Sequence, residues 1–465
     1  MGTVLLILLD TLGMFLSYQL SYYVRCYVFP VYWQLPEPLP LAFFNPLWLP
    51  VIFVFLFWYE NLYSKRYPFW EEVKVIWKAC ILATLALLSV VTISKMTHSV
   101  SRTILLLTML NSFWILPPIR YYGKRLMFAV GIKKRKILIA GAGMTGELLL
   151  RTLLKEKNMG YEVIGFVDDD KKKIGKLIGG VKVLGSIKEI DRFLSRGVEV
   201  IVAIPGMEGE KIVALVNGLQ KKVKRVSFIP NLFGIPFFES DMDFHFESQI
   251  LILNVRNNLK NILNMAVKAL FDILVSIPVF LISLPVIAVI AVFIKFGSKG
   301  PVFWVQDRIG IDGKPFKCIK FRSMFVNGDA ILAKALKKDK KRNAEWKKYF
   351  KLKNDPRVTP VGKLIRKFSL DELPQIFNII KGEMSLVGPR PYLPREKEDM
   401  GSYADTIVEV RPGLTGLWQV SGRNKTSFKE RLVLDAWYIQ NWSLWLDVVI
   451  LIRTVRVVLR RDGAY

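Results

Sequence analysis

Histidine and cysteine are almost missing from this chain. There are two of the first, His98 and His245, and three of the second, Cys26, Cys80 and Cys318, in 465 residues. Ser-His-Asp, Cys-His and multi-His metal chemistry therefore have almost nothing to work with. The cysteines form no CxxC pair and no even framework, which excludes disulfide scaffolds and zinc ribbons. Acidic residues are also scarce, 39 against 67 basic ones, leaving a formal charge of +28. Catalysis in such a chain must run on carboxylates, Lys, Arg and bound metal. What the chain does have is apolar content, 52 % of residues, far above that of a disordered polymer. Its length corresponds to about three folding units. A large positive excess points to phosphate-bearing partners, either nucleic acid or anionic lipid and nucleotide. With no nucleic-acid-binding fingerprint and so much membrane-active sequence, nucleic acid is set aside.

Four apolar stretches, 3–24, 44–60, 75–94 and 103–119, each approach the roughly 20 residues that cross a bilayer. The first lacks a basic leader and a small-residue cleavage site, so it reads as a retained span. Basic residues gather between spans two and three (Lys65, Arg66, Lys74, Lys78) and after span four (Arg120, Lys124, Arg125, Lys133 to Lys136), whereas the loop after span one has only Arg25. The positive-inside rule then places both chain ends in the cytoplasm. Asp10 within span one is costly in lipid and is expected to face a neighbouring helix. A fifth run, 269–295, has basic residues on both sides (Lys260 and Lys268 before, Lys299 and Arg308 after) and contains Pro278 and Pro285. These features predict a bent helix that enters one leaflet and returns, with a full crossing as the alternative.

Residues 136–230 alternate short apolar strands (136–140, 163–167, 198–203, 226–229) with helical stretches (144–155, 211–220), the pattern of a small Rossmann-like parallel sheet covered by helices. Gly141, Gly143 and Gly146 form a GxGxxG turn between first strand and first helix. Asp168 follows where a ribose-binding carboxylate would sit, making these four residues a possible nucleotide site. A short-chain dehydratase or epimerase would need a Tyr-x-x-x-Lys pair. The only tyrosine here, Tyr161, is followed four residues later by Gly165; the chain's one such spacing, Tyr349 with Lys353, falls in the lysine-rich 334–353 stretch of the C-terminal part, which reads as a solvated helix face. The middle domain therefore reads as a nucleotide-binding sensor or a retained scaffold.

The remaining chemistry lies beyond Phe296. Asp371 and Glu372 precede Pro374, which suits the first turn of a helix running through Ile380 and leaves both carboxylates at its N-terminal mouth, where ionised groups are favoured. Adjacent carboxylates reach one small volume that one divalent ion would unite, making both candidate metal ligands. From spacing alone, Ser369 with Glu372 reads equally as a capping box, although the box would put proline at the fifth helical position, costing about 3 kcal/mol. Lys320, Arg322, Arg366, Arg390 and Arg423 lie near Gly or Pro turns, where Arg forks match phosphate oxygens. A carboxylate pair ringed by arginines suggests phosphoryl transfer onto an enzyme nucleophile, with a nucleoside monophosphate leaving. Trp442–Arg461 reads either as an interfacial amphipathic helix or as one packed on the core.

Several segments together carry a resemblance: Gly300-Pro-Val-Phe, Gln306-Asp-Arg-Ile-Gly310, Lys320-Phe-Arg-Ser-Met324, Ser369-Leu-Asp-Glu-Leu-Pro-Gln375, Ser385-Leu-Val-Gly-Pro-Arg-Pro391 and Arg411 through Arg423. From about Leu270 to Tyr465 the chain resembles the bacterial phosphoglycosyl transferases of the monotopic class. With its four spans and nucleotide-fold middle, the whole chain is similar to their large form. The resemblance implies four parts: a four-helix transmembrane bundle (1–122), the Rossmann-like domain (136–230), a linker (231–265) and a mostly α catalytic domain (266–465) with the re-entrant helix. It implies Asp371 as the nucleophile on the β-phosphate of a UDP-sugar, Glu372 assisting through Mg²⁺ and protonation, and undecaprenyl phosphate as acceptor. Arg390 would grip phosphate and Lys320 with Arg322 would support the site, backed by Gln375, Pro389, Pro391, Thr415 and Gln419 of the same motifs. The helix break, usually a Ser-Pro pair, is here Ser283 and Pro285 with one residue between. Galactose-specific members are nearest, through the terminal Leu459 to Tyr465, implying UDP-galactose, with glucose or an N-acetylated sugar as the alternative. A homodimer on the cytoplasmic face of the bacterial inner membrane, contacting membrane lipids, completes the expectation. From another class, an inactive membrane scaffold that senses UDP-sugar stays open.

Overall fold

Backbone amides in lipid must bond within their own segment, and the apolar runs of the N-terminal third accordingly form helices. A computed structural model describes residues 2–32, 48–94, 101–195, 197–231, 241–245, 250–254, 258–339, 342, 352, 355–421 and 426–460. The chain divides into two units, 1–233 and 234–465. In the first, α1 (Gly2–Tyr23) continues through a π-turn at Val24–Val28 to Tyr32. It is followed by α2 (Trp48–Tyr59), α3 (Phe69–Ile93) and α4 (Arg102–Ala129). Gly2–Tyr32, α3 and α4 are long and apolar enough to cross a membrane. The second predicted span is described only as the twelve residues of α2, and its first part lies outside the described residues. α4 runs ten residues past the predicted end at 119, carrying Pro117 and Pro118 within it.

Asp10 does face its neighbours. Fully buried, it accepts from Arg120 Nη1 at 2.7 Å and from the Tyr63 hydroxyl at 2.8 Å. Arg120 also donates to Glu72 at 2.9 Å and to the Leu62 carbonyl at 3.0 Å, and Lys124 reaches Glu72 at 2.6 Å. The charges of α1, α3 and α4 thus neutralise one another inside the helical layer, as burial of ions requires.

The middle sheet contains β1 (Arg135–Ala140), β2 (Tyr161–Val167), β3 (Leu177–Ile178), β4 (Val181–Gly185), β5 (Glu199–Val202) and β6 (Val226–Phe228), ordered β3-β4-β2-β1-β5-β6. All pairings are parallel except β3 with β4. Helices α5 (Met144–Lys155) and α6 (Gly209–Gln220) fall where the apolar period placed them. The hairpin β3–β4 was not foreseen, because two- and five-residue strands between glycine turns give no usable period.

In the second unit, β7 (Asp241–His245) and β8 (Ile250–Asn254) pair antiparallel. They lie inside 231–265, so that stretch is a hairpin in part and not linker throughout. Next comes α7 (Ile262–Gly297), 36 residues with Pro278 and Pro285 inside it and long enough to cross a membrane. The residues α7 buries, Lys268, Asp272, Ser276, Ser283, Ile290 and Ile294, make one stripe. Both ends of that stripe are bound to the same folded body. Near the start, Lys268 Nζ donates to the Val387 carbonyl at 3.0 Å and to Asp447 at 2.7 Å, and Asp272 accepts from Leu386 N at 3.1 Å. Near the end, Ile290 and Ile294 pack with Phe321 and Ile365. Between them most side chains other than Ser276 and Ser283 point outward, Ile282 being 77 % exposed. Ser283 Oγ donates to the Phe280 carbonyl, not to the Leu281 carbonyl that Pro285 leaves without its usual donor.

The rest of the unit comprises β9 (Phe303–Ile309), β10 (Pro315–Phe321), α8 (Gly328–Lys338), α9 (Pro360–Lys367), α10 (Gln375–Ile380), β11 (Ser385–Val387), α11 (Ala404–Val408), β12 (Gly413–Thr415), α12 (Leu417–Val420), α13 (Phe428–Gln440) and α14 (Leu444–Arg460). Cys318, Met384, Val387, Tyr392, Ile439, Trp442 and Ile450 form its main core. Of the two readings for the final helix, α14 buries Val449 and Ile450, the latter in that core, while Val455 and Leu459 near its end are exposed.

Candidate active site

The acidic turn is set by what flanks it. Thr359 caps α9 through Gly362 N at 2.9 Å, with Pro360 in the first turn. Gly362 is needed for close approach, since a Cβ there would lie 2.0 Å from the Ser323 carbonyl oxygen. After α9 the backbone reverses at Ser369, a non-glycine residue in the left-handed region (φ 57°). A single 3₁₀ turn, Leu370–Glu372, then holds both carboxylates, and α10 begins immediately after Pro374. Ser369 makes no capping bond, so the capping-box reading does not describe this turn. Leu370 and Leu373, on either side of the carboxylates, pack with Phe321, Ile290 and Ile294. The turn is thereby seated on the last part of α7.

A cation is delivered from the β9–β10 hairpin. Lys320 pairs with Trp304 across the strands, and its Nζ reaches Glu372 Oε1 at 2.7 Å. Register between hairpin and turn is set by Asn378, fully buried in α10. It accepts from Ile319 N at 3.1 Å and donates to the Lys317 carbonyl at 2.8 Å and to Glu383 at 2.6 Å. Sequence reasoning did not identify Asn378. Its one signal is a lone amide inside the apolar run Gln375-Ile-Phe-Asn-Ile-Ile380.

Asp371 is half-buried and its pKa is pushed up to about 6. Loss of water is the main cause and the adjacent Glu372 charge the second; Lys320 and Arg366 oppose them. The expected preference for ionised groups at the mouth of α10 is outweighed, because a six-residue helix offers a weak dipole against burial and a like charge. At neutral pH the group is ionised yet more basic than an ordinary carboxylate.

The other predicted cations divide. Arg366 lies close enough to Asp371 to act on its charge. Arg322 is turned away: its guanidinium donates to the carbonyls of Ser298 (2.8 Å) and Lys299 (2.9 Å) and to Ser298 Oγ, just past the end of α7. The structure therefore gives Arg322 the work of closing that helix end, and burial lowers its pKa. The backbone N–H of Arg390 is held by Asp435 at 3.0 Å, and its guanidinium lies over the Trp418 ring at 5.9 Å. Arg308, read from sequence only as a basic flank and a motif residue, donates to the Pro391 carbonyl at 3.0 Å and to Gln306 at 2.9 Å. Burial and Arg390 lower its pKa while Glu372 raises it, so Arg308 bridges the field between the two. Arg423 lies outside the described residues.

Gln375 is buried beside the acidic turn with Nε2 unpartnered among the described residues. Thr415 Oγ1 bonds Thr454 at 2.7 Å, Gln419 reaches the Leu414 carbonyl at 3.5 Å, and the carbonyls of Pro389 and Pro391 accept from Gly413 N and Arg308. These four residues shape the loops around Arg390. Asp371 and Glu372 are two hard oxygen donors in one turn, a pair that would suit a divalent ion such as Mg²⁺. Among the described residues no group of three or more His, Cys, Asp or Glu forms a cage.

The glycine turn of the first unit is arranged differently. Gly141 has φ 109°, and a Cβ on Gly146 would lie 2.0 Å from the Gly141 carbonyl oxygen, while Gly143 faces open space. Asp168 accepts from Ala142 N at 2.8 Å, Asp170 N at 2.9 Å and Lys173 Nζ at 3.1 Å. Burial would raise its pKa, but those two N–H bonds and Lys173 bring it below the ordinary carboxylate value. One amide of the turn is thus already satisfied from within the domain.

A model described as bacterial sugar transferase matches residues 263–461, and one described as CoA-binding domain matches 62–230. A UDP-galactose-lipid carrier transferase of Erwinia amylovora is 38 % identical over 419 residues, covering 90 % of this chain and 87 % of that protein. An undecaprenyl-phosphate galactose phosphotransferase of Salmonella typhimurium is 38 % identical over 421 residues with the same coverage. A UDP-glucose:undecaprenyl-phosphate glucose-1-phosphate transferase of Klebsiella pneumoniae is 34 % identical over 338 residues, 70 % of this chain and 68 % of that protein.

Proposed function

The chain belongs to the bacterial sugar transferase family as a membrane phosphoglycosyl transferase, and from that premise we propose that it moves galactose 1-phosphate from UDP-galactose to undecaprenyl phosphate through a phosphosugar ester on Asp371. The observation that carries the nucleophile assignment is the raised pKa of Asp371 in a turn anchored to α7 and faced by Lys320 and Arg366. An ionised carboxylate of higher basicity is a better nucleophile, and the surrounding cations stabilise charge on the transferring group.

In the first half-reaction an Asp371 carboxylate oxygen bonds to the β-phosphorus while the bond to the bridging oxygen breaks, and UMP departs with that electron pair. In the second, an oxygen of undecaprenyl phosphate attacks the same phosphorus and Asp371 leaves as carboxylate. Lys320 holds Glu372 in place. Arg390 and Arg423 are assigned to the diphosphate, and Arg366 to the charge at Asp371. Mg²⁺ held by Asp371 and Glu372 would supply neutralisation of the diphosphate.

The two-ended attachment of α7 supports an entering and returning helix. At about 1.5 Å per residue it measures about 54 Å, more than the roughly 30 Å of a hydrocarbon core. Yet residues near both ends bind one body. Asp371 is thereby held at headgroup depth, where the lipid phosphate lies. Basic flanks support a domain on the cytoplasmic face of the inner membrane, where UDP-sugars are available, and a homodimer is the expected assembly. Transfer of this sugar would begin an O-antigen, capsule or exopolysaccharide unit.

The test is UMP release by the full chain with Mg²⁺, undecaprenyl phosphate and a panel of UDP-sugars. UDP-galactose is expected to be fastest, Asp371→Asn to abolish turnover, and mass spectrometry without acceptor to find a phosphohexose on the peptide containing Asp371. Full turnover by that variant would remove Asp371 from the role. A preference for UDP-glucose would move the sugar assignment alone.

A further inference from the structure

Trp418, in α12, carries two guanidinium groups. Arg431 of α13 lies 5.1 Å from its ring centroid and Arg390 lies 5.9 Å away. Two like charges gathered on one indole repel, and a compact fold tolerates such a pair when an anion compensates it. Glu396 and Asp435 both act on the Arg431 charge, but without a close ion pair to either guanidinium among the described residues. Arg390 comes no nearer than 4.0 Å to Glu396, and Asp435 receives the backbone N–H of Arg390 and the hydroxyl of Tyr392, not a guanidinium. Among the described residues Arg431 makes one bond, from Nη2 to the Thr426 carbonyl at 3.1 Å. Its Nε and the Trp418 Nε1 are buried and have no partner among the described residues. Buried donors are normally satisfied, so two idle ones beside two cations leave donor capacity for an anion; Asp435 Oδ1, also buried and without a partner among the described residues, is the one idle acceptor near them. Arg308, bonded to the Pro391 carbonyl next to Arg390, lies within electrostatic reach of both Arg390 and Glu372.

We propose that Arg431, with Arg390 across Trp418, forms a phosphate subsite that holds a phosphate of the reactants other than the one being transferred. This rests on the transferase reading above. The group is either the α-phosphate of the nucleotide, which leaves as UMP, or the phosphate of the incoming lipid. Arg431 is then a substrate-binding residue, with its free Nε–H and the Trp418 N–H as donors to phosphate oxygen. Charge-assisted bonds of this kind contribute roughly 1.5–3 kcal/mol, which corresponds to about tenfold or more in affinity.

The experiment uses the full-length enzyme in nanodiscs, with Arg431→Gln and Arg431→Lys beside the unaltered chain. Michaelis constants are measured for UDP-galactose and for undecaprenyl phosphate, and UMP binding is followed by calorimetry. Arg431→Gln is expected to raise one Michaelis constant about tenfold with kcat changed less than about threefold, and Arg431→Lys to fall between. A rise for UDP-galactose with weakened UMP binding assigns the nucleotide phosphate. A rise for undecaprenyl phosphate with unchanged UMP binding assigns the lipid. Unchanged constants for both substrates together with unchanged UMP affinity overturn the proposal, as does a lowered melting temperature as the sole effect, which would mean that Arg431 only pins Thr426. If Arg431→Gln does not fold, the same readings are taken on Arg431→Lys. If the unaltered enzyme releases no UMP from any UDP-sugar, the transferase reading fails by itself, and binding of UMP and of undecaprenyl phosphate decides the subsite: weakened binding of either by Arg431→Gln upholds it, unchanged binding of both overturns it.

Discussion

Two places in this molecule bring a pair of carboxylates together with basic side chains, and they do so in opposite ways. In the helical layer, Asp10 and Glu72 sit on different helices with Arg120 between them, and each receives hydrogen bonds from a cation. In the second unit, Asp371 and Glu372 are neighbours in one turn, and among the described residues the single ion pair within contact distance goes to Glu372. The first arrangement lowers the charge of everything it contains. The second leaves Asp371 more basic than its type and surrounds it with cations that are near but not bonded to it. The contrast separates charges that hold a fold from charges kept ready to react. Asp168 belongs with the first kind, its carboxylate already receiving three donors.

The largest expected effect in testing this contrast falls on the helical layer. Arg120→Gln leaves two buried carboxylates short of charge and should cost about 3–5 kcal/mol, read as a lowered melting temperature in detergent. Glu372→Gln, at the half-exposed ion pair, should melt almost as the unaltered chain does. Equal losses from the two would erase the distinction.

Next in size is a pH effect. UMP release should fall as pH drops through about 6, where Asp371 takes up a proton. Because Lys320 lowers that pKa, Lys320→Met should move the acid limb of the profile to higher pH. Stability should respond with the opposite sign. A carboxylate whose folded pKa is raised from 3.8 destabilises the fold above about 6 and has no effect below about 4. Asp371→Asn should therefore melt higher than the unaltered enzyme at pH 7.5 and identically at pH 3.5. An acid limb at pH 4 would show that the turn is solvated like an ordinary surface.

The smallest effect is expected in the middle domain. Asp168→Ala removes bonds that a turn supplies to itself, so a stability loss of about 1 kcal/mol with turnover changed less than twofold is expected. A large fall in UMP release would instead tie the glycine turn to catalysis.

Much of the architecture was readable from local pattern. The strands and helices of 136–230 fell where period and glycine placed them, because each is decided by residues close in sequence. Asp371, Glu372 and Lys320 were found through motifs and do meet. What escaped depends on distant partners. Arg322 is written beside Lys320 yet reaches back 24 residues to Ser298. Arg120 meets Asp10 across 110 positions, and no local pattern encodes that meeting. Asn378 and Arg431 act by bridging segments whose neighbourhood exists only after folding. Ser369 was read as a cap because spacing ignores the sign of φ, and its left-handed backbone is what turns the carboxylates out of α9.

The double fastening of α7 has a mechanical result. A tether held at one end would let its cargo wander; a handle fixed at both ends does not. Release of a working soluble enzyme by clipping this segment is therefore ruled out by design, since either cut strands half of the core-facing stripe. On the function proposed above, collisions with a greasy acceptor would then take place in a plane, at a height that no thermal swing of a linker can alter.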